Sequence, residues 1–367
     1  MYPKLVIDLE KLDFNIRFLI DKMKQNNLSI TAITKLYGAD PRIIALFESY
    51  PEIEYFGDSR LKNLMTYQDS KKQKILIRTP MHSEVVDVIN YADISFNSEL
   101  STIKRLNEEA KRQRITHQIV MMIDLGDLRE GFFCENEWTC AIAEVTQMSN
   151  IEIIGLGVNL MCYGGIIPDE VNLSKLVTTS KTLAKAFNLK LKMISGGNSS
   201  SLYLLDKAGV RVLPTGITNL RIGDAFFTGE SSLKTKFFPM YSDVFTIQAE
   251  IIELKEKPSY PIGQIDIDAF GQIPSFEDKG MRLKGILAVG RQDIAFDSLY
   301  PNDEKLFIIG ASSDHLIIDF TESDMSYQVG DIVTFRLHYG AVLQAFTSKY
   351  VTKEYIEITG TSPKGEN

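Results

Sequence analysis

The chain has 367 residues, 44% hydrophobic and 24% charged, an ordinary globular balance with length for about two domains. Its net charge of −8 disfavours nucleic acid or an anionic membrane as a partner, because either would select a basic face. Three cysteines, Cys134, Cys140 and Cys162, form no even framework and read as reduced thiols in a cytoplasmic protein, while the four histidines lie at no metal-ligand spacing, so no metal is expected.

The N-terminus, "MYPKLVIDLEKLDFNIRF", lacks the long apolar core of a secretory signal, and no run approaches the ~18 uncharged apolar residues of a membrane helix. "KLVIDL" reads as an isolated strand able to pair with either domain. From Ile30 to Gly223 eight short apolar runs follow in order: "ITAITKL", "IEYFGDS", "KILIRTP", "ADISFNS", "QIVMMIDL", "IIGLGVNL", "KMISGGNSS" and "ITNLRIG". Between them "DPRIIALFESY", "SELSTIKRLNEEAKRQ" and "NLSKLVTTSKTLAKAF" carry apolar residues at helical spacing, and "NSELSTIKRL" offers a Ser/Asn cap with acid in the first turn. Eight alternating strand–helix units predict an α/β fold, a closed (β/α)8 TIM barrel. A doubly wound open sheet competes, but "TKLYGAD" lacks the G-x-G-x-x-G expected after a first Rossmann strand. After Gly229 the runs "SDVFTIQAEIIELKEK", "LKGILAVG", "KLFIIGAS", "HLIIDF" and "DIVTFRL" predict a mostly β domain with no long helix. The expected boundaries are 9–230 for the barrel, with 1–8 and 231–367 in the C-terminal β domain.

Active sites of such barrels lie at the C-terminal strand ends. In order these ends present Lys35; Asp58, Ser59 and Arg60; Arg78; Asn97, Ser98 and Glu99; Asp124 and Arg129; Asn159; "SGGNSSS"; and Arg221 with Gly223 and Asp224. "SGGNSSS", with Asn198, Ser199 and Ser200, offers hydroxyls and backbone N–H groups ahead of the helical "LYLLDKAG". "NLRIGDA" adds a tight glycine turn on the neighbouring strand, and together they predict a phosphate seat. Closure of the barrel sets Lys35 beside the last strand. An amine held against arginines in a desolvated pocket loses its proton more readily and becomes a nucleophile. A lysine, an arginine and a phosphate seat fit pyridoxal 5′-phosphate (PLP) bound as a Schiff base, and equally fit a sugar-phosphate aldolase.

Beyond these features, "YPKLVIDLEKLDFN", "YADISFNSEL", "DLGDLREGFF", "GVNLMCYG", "SGGNSSSLYL", "GITNLRIGDA", "KEKPSYPIGQIDIDAFG" and "GASSDHLIIDF" resemble, almost end to end, the fold-type III PLP family of alanine racemase, and within it the ornithine racemases. The resemblance implies a PLP barrel plus a C-terminal β domain, a head-to-tail homodimer whose sites borrow residues from the partner, and racemisation of ornithine or a related basic amino acid through a Lys35 aldimine. By the same resemblance Ser199 and Ser200 bind the phosphate, with the amides of Gly223 and Asp224. Arg221 faces the pyridine nitrogen, Arg129 lies near the phenolic oxygen, and Tyr355 loosely matches a tyrosine near the phosphate.

The chain also departs from the family. Arg291, in "AVGRQDI", stands where the family's second acid/base tyrosine would be. Asn159 replaces the histidine behind the ring, and Tyr37 follows the lysine by two residues where the family's tyrosine follows by four. The usual second base is therefore missing, and Tyr163, Cys162 and His315 are the candidate replacements. Arg291, Ser313 and Asp314 are candidate substrate ligands: Arg291 for a carboxylate, Asp314 for a distal ammonium. Lysine or alanine racemisation, decarboxylation and a non-catalytic PLP carrier are the other readings. Decarboxylases of this type place an acid opposite the pyridine nitrogen, against Arg221, and the single-barrel carriers lack the β domain.

Overall fold

The computed structural model describes residues 1–206, 210–230 and 239–359. Chain contacts divide it into two units, Leu12–Ser242 and a second formed by Met1–Lys11 with Asp243–Asn367. The boundary drawn from sequence at 230/231 adjoins residues 231–238, outside the described residues, as are Lys207–Gly209 of "LYLLDKAG".

Strand β1 (Lys4–Asp8) leads into α1 (Leu9–Gln25), whose Leu12, Ile16, Leu19, Ile20 and Met23 are buried at spacings of three and four. Then come β2 (Ser29–Ile33), α2 (Pro41–Glu48), β3 (Ile53–Asp58), α3 (Leu61–Thr66), β4 (Gln73–Leu76) and α4 (Val85–Tyr91). The series continues with β5 (Ile94–Asn97), α5 (Leu100–Gln113), β6 (His117–Met122), α6 (Glu135–Val145), β7 (Ile151–Gly157), α7 (Glu170–Phe187), β8 (Met193–Asn198), β9 (Asn219–Ile222) and α8 (Ala225–Thr228). All eight apolar runs are strands, and β2 to β9 close into a parallel barrel. Both faces of these strands are covered, so they read as unbroken apolar runs.

Two end signals differ from expectation. Glu99, not Ser98 or Asn97, caps α5 by accepting the Ser101 N–H; Ser98 Oγ lies 3.0 Å from Thr79 Oγ1, and Asn97 Nδ2 donates to Ser95 O at 3.0 Å. The segment after β8 is a 3-10 turn, Ser199–Leu205, capped by Asn198.

The second unit is an eight-stranded sheet. It contains β10 (Phe245–Pro258), β11 (Met281–Leu287), β12 (Leu299–Pro301), β13 (Phe307–Ala311), β14 (Leu316–Asp319) and β15 (Ile332–Leu337), and also α9 (Tyr339–Thr347) and β16 (Thr352–Ile356). Strand β1 lies antiparallel to β10 and parallel to β16. The nine-residue α9 was not expected in a domain read as β; its Ala341, Val342, Ala345 and Phe346 are buried.

Strands β7 and β8 pair Gly155 with Met193, and a Cβ on Gly155 would stand 2.1 Å from the Met193 carbonyl oxygen. That backbone contact has no room for even a methyl group. Gly155→Ala is expected to destabilise the barrel by ~1–3 kcal/mol, the usual cost of overpacking, measured by urea unfolding.

Candidate active site

Chain direction changes at the end of β2 in a 3-10 turn, Lys35–Tyr37. Gly38 and Ala39 take left-handed backbone conformations there (φ 57° and 55°), and their N–H groups donate to Lys35 O (3.3 Å) and Thr34 O (3.1 Å). The fully buried Thr34 fixes the turn: its hydroxyl donates to Asp58 Oδ2 at 2.5 Å and lies 3.0 Å from Tyr67 Oη. Asp58 also accepts from Asn63 Nδ2 (3.0 Å) and the Arg60 N–H (2.7 Å). Burial pushes its carboxyl up, while those bonds and the nearby Lys35 charge pull it down. Asp58, read from sequence as a mouth residue, is thus the buried anchor of the lysine turn. Lys35 itself is half-buried. Tyr37 stacks on Phe47 (6.1 Å, 9°), fully buried, with its hydroxyl unpartnered.

The barrel closes by pairing β2 with β9, Thr31 opposite Arg221 and Ala32 opposite Ile222. Arg221 is 4% exposed. Its Nη1 donates to Ser195 Oγ at 2.7 Å, and Nη2 to Val158 O at 2.8 Å and Asn159 Oδ1 at 3.3 Å. Desolvation pushes the guanidinium down to about 10, against the nearby acid Glu130, so it remains charged at neutral pH. A polar chain continues below it: Ser195 Oγ donates to Asn219 Oδ1 (2.9 Å), and Asn219 Nδ2 to Thr31 Oγ1 (3.0 Å). This seam crosses both sides of the closure.

Beside Arg221, Ser199 Oγ accepts the N–H groups of Gly223 (3.2 Å) and Ala225 (3.4 Å), fastening the turn after β8 to the turn after β9. Asn198 Oδ1 accepts the Ser200 N–H at 2.8 Å. Three buried atoms here lack partners: Ser200 Oγ, Asn159 Nδ2 and Asp224 Oδ1. Unpaired buried polar atoms are costly and mark places where a ligand completes the bonding. Burial, with Glu230 adding, raises the Asp224 carboxyl to about 6. Hydroxyl and amide N–H groups are donors that would hold a phosphate monoester, so the seat fits PLP.

The loops after β6 and β7 complete this end. Arg129 forms an ion pair with Glu130 through both guanidinium and carboxylate atoms. Cys162 Sγ lies 3.4 Å from Asn159 Oδ1 and from Asn198 Nδ2. Tyr163 is 76% exposed. Arg78, read as a mouth residue, is tied to Glu84 (2.7 Å) and Ser59 O (3.0 Å). The barrel end therefore brings together Lys35, Asn159, Cys162, Asn198, Ser199, Ser200, Arg221, Gly223 and Asp224 within one set of strand ends and turns. Asp127, which accepts N–H groups from the Cys162 loop, escaped sequence reading although it lies inside the quoted "DLGDLREG". Nothing in a loop's composition marks which acid will face backbone N–H groups.

The second unit gathers a separate cluster. Arg291 lies between Phe270 and Phe296 (4.3 and 4.7 Å to the ring centroids), and its Nε donates to Ala311 O at 2.7 Å. The Arg291 and Gln292 N–H groups donate to Ser312 O and Ser313 O, beside the turn where His315 Nδ1 and Asp314 Oδ1 lie 2.9 Å apart. Arg291, Ser313, Asp314 and His315 thus share one loop pair. Tyr355 lies on β16 opposite Ile7. No group of three His, Cys, Asp or Glu able to hold a metal occurs among the described residues.

Residues 7–229 match the model of the alanine racemase N-terminal domain. The chain belongs to the alanine racemase family. Over 97% of its length it is 49% identical to the ornithine racemase of Acetoanaerobium sticklandii, covering 100% of that protein. It is 34% identical to the lysine racemase of Thermotoga maritima, over 97% of this chain and 99% of that one. An alanine racemase from Bartonella henselae, solved with covalently bound pyridoxal phosphate, superposes with a TM-score of 0.71 at 18% identity, over 97% and 100% of the two chains. That superposition extends the family's architecture to both units.

Asp224 binds a proton more tightly folded than unfolded, so its contribution to stability is largest at low pH and fades as pH rises from about 4 through about 6. Asp224→Asn is expected to raise the melting temperature of the cofactor-free protein at pH 8 and leave it near wild type at pH 4.5, measured by scanning calorimetry.

Proposed function

We propose that the protein is a PLP-dependent racemase that interconverts L- and D-ornithine. The observation that carries this reading is the 49% identity, end to end, to a protein named ornithine racemase. The 34% identity to a lysine racemase supports a basic amino acid as the substrate class. Lys35 would hold the cofactor covalently, Ser199, Ser200 and the turn at Gly223–Asp224 its phosphate, and Arg221 its ring nitrogen. When bound, PLP supplies an electron sink that weakens the bond between Cα and its hydrogen.

The chain's own groups do the rest. Lys35 Nζ takes or returns the α-proton on one face. Arg221 donates a hydrogen bond without giving up its proton, because a guanidinium hardly deprotonates, so the electron sink stays weak. A weak sink favours prompt return of the proton over decarboxylation. The Thr34–Asp58 bond holds the backbone from which Lys35 reaches out.

A head-to-tail homodimer belongs to the same proposal. In it the Arg291–Ser313–Asp314–His315 loops would meet the partner's barrel, and Arg129 and Tyr355 would stand near the cofactor. Asp314 and His315 side chains are 59% and 43% exposed, which leaves them accessible to a substrate ammonium or a second subunit. We place the enzyme in the cytoplasm, supported by the three free cysteines. No helix among the described residues is long and apolar enough to cross a membrane.

Chiral chromatography after incubating the PLP-loaded enzyme with L-ornithine, L-lysine or L-alanine tests the proposal. D-ornithine should form fastest. Putrescine in its place would make the protein a decarboxylase, and bound PLP without turnover would make it a carrier; either overturns the reading.

A further inference from the structure

The loop that carries Cys162 is held by a single side chain. Asp127 is 1% exposed. Its Oδ1 accepts the N–H groups of Met161 (3.1 Å) and Ile166 (3.2 Å), and its Oδ2 those of Cys162 (3.3 Å) and Tyr163 (3.0 Å). Its backbone carbonyl accepts a fifth, from Gly164 at 3.1 Å. A Cβ on Gly164 would stand 2.6 Å from that carbonyl oxygen, so the loop fits this closely only with glycine there. Burial would raise the Asp127 carboxyl, but the N–H groups outweigh it and hold the carboxyl below its ordinary value.

The clamp also imposes strain. Met161, immediately before Cys162, and Leu128, immediately after Asp127, both lie in the left-handed region at φ 58° and 55°. Non-glycine residues persist there at a cost of ~1–3 kcal/mol each only when their surroundings over-determine them, and such residues cluster at functional sites.

The result is a fixed thiol. Cys162 Sγ shares Asn159 Oδ1 with Arg221, and Asn159, 7% exposed, keeps its Nδ2 unpartnered. Arg129 and Arg221 both lie within electrostatic reach of Cys162. The other candidates lack this setting. Cys162 and Tyr163 are both exposed, but Cys162 Sγ is tied to Asn159 and Asn198, while His315 belongs to the second unit, paired with Asp314.

We infer that Asp127 is a positioning residue whose carboxylate locks loop 161–166, so that Cys162 serves as proton donor and acceptor on the face of the α-carbon opposite Lys35. The inference rests on the racemase reading. In one direction Lys35 Nζ accepts the α-proton and Cys162 Sγ–H delivers another to the opposite face. Inverted substrate, an ammonium and a thiolate result, and exchange with water resets both groups. The reverse direction uses the same two atoms with roles exchanged.

The test uses the PLP-loaded enzyme in deuterated water, following inversion and α-deuteration separately. Cys162→Ala should lower inversion by about 10²-fold or more, the usual worth of a positioned acid/base, while the cofactor absorbance is retained. One enantiomer of ornithine should still gain an α-deuteron with retention, because Lys35 continues to exchange on its own face. Asp127→Asn should show the same one-sided exchange with a loss of about tenfold or more in kcat and little change in KM. It should also speed hydrogen exchange at amides 161–166. Cys162→Ser should restore part of the inversion rate. Inversion at the wild-type rate in Cys162→Ala, or equal loss of exchange from both enantiomers, would overturn the inference. Failure of the wild-type enzyme to racemise any basic amino acid would instead sink the reading beneath it.

Discussion

The parallel pairing of the first and last barrel strands, from Ser29 with Asn219 to Ala32 with Ile222, is the constraint on which the site depends. Lys35 and Arg221 lie 186 positions apart in the chain, and only ring closure makes their strands neighbours. The seam is tied by buried polar bonds as well as by the ladder: Ser195, Asn219 and Thr31 link three strands in the layer that supports Arg221. In a closed ring no edge is left for the lysine strand to slip along, so the register fixes which residues face the mouth.

That closure creates a demanding electrostatic environment. A guanidinium buried to 4% exposure remains charged because Ser195, Val158 and Asn159 accept from it. Its neighbours are organised in turn: Asn159 also receives Cys162 and Asn198, and Ser199 ties the two glycine-bearing turns together. Each hydrogen bond orders a group that would otherwise roam on a loop, while Ser200 Oγ, Asn159 Nδ2 and Asp224 Oδ1 are left unpaired. Preorganisation of this kind is how a site gains rate without paying for rearrangement during the reaction.

The barrel was legible because strands buried on both faces write themselves as short apolar runs. The second unit was less so. Leu299–Pro301 is three residues long and ends in proline, and Thr352–Ile356 alternates polar residues like a solvated loop, so neither announces a strand. Tyr339–Thr347 is apolar almost throughout and too short to display a helical period. Side-chain partnerships were the least legible. Asp58 and Asp127 both belong to quoted stretches, yet one became the anchor of the lysine turn and the other the clamp of the Cys162 loop. Their roles depend on which backbone N–H and hydroxyl groups the folded chain brings to them. Arg129 likewise took its immediate neighbour Glu130 as partner, a choice that spacing rules for regular elements do not anticipate.

The account turns on Lys35 being the one amine that reaches the cofactor. Borohydride reduction of the PLP-loaded protein, followed by proteolysis and mass spectrometry, addresses this most directly. The account predicts a yellow chromophore that bleaches on reduction and a pyridoxyl label confined to Lys35. A label on any other lysine, or no chromophore at saturating PLP, would contradict it.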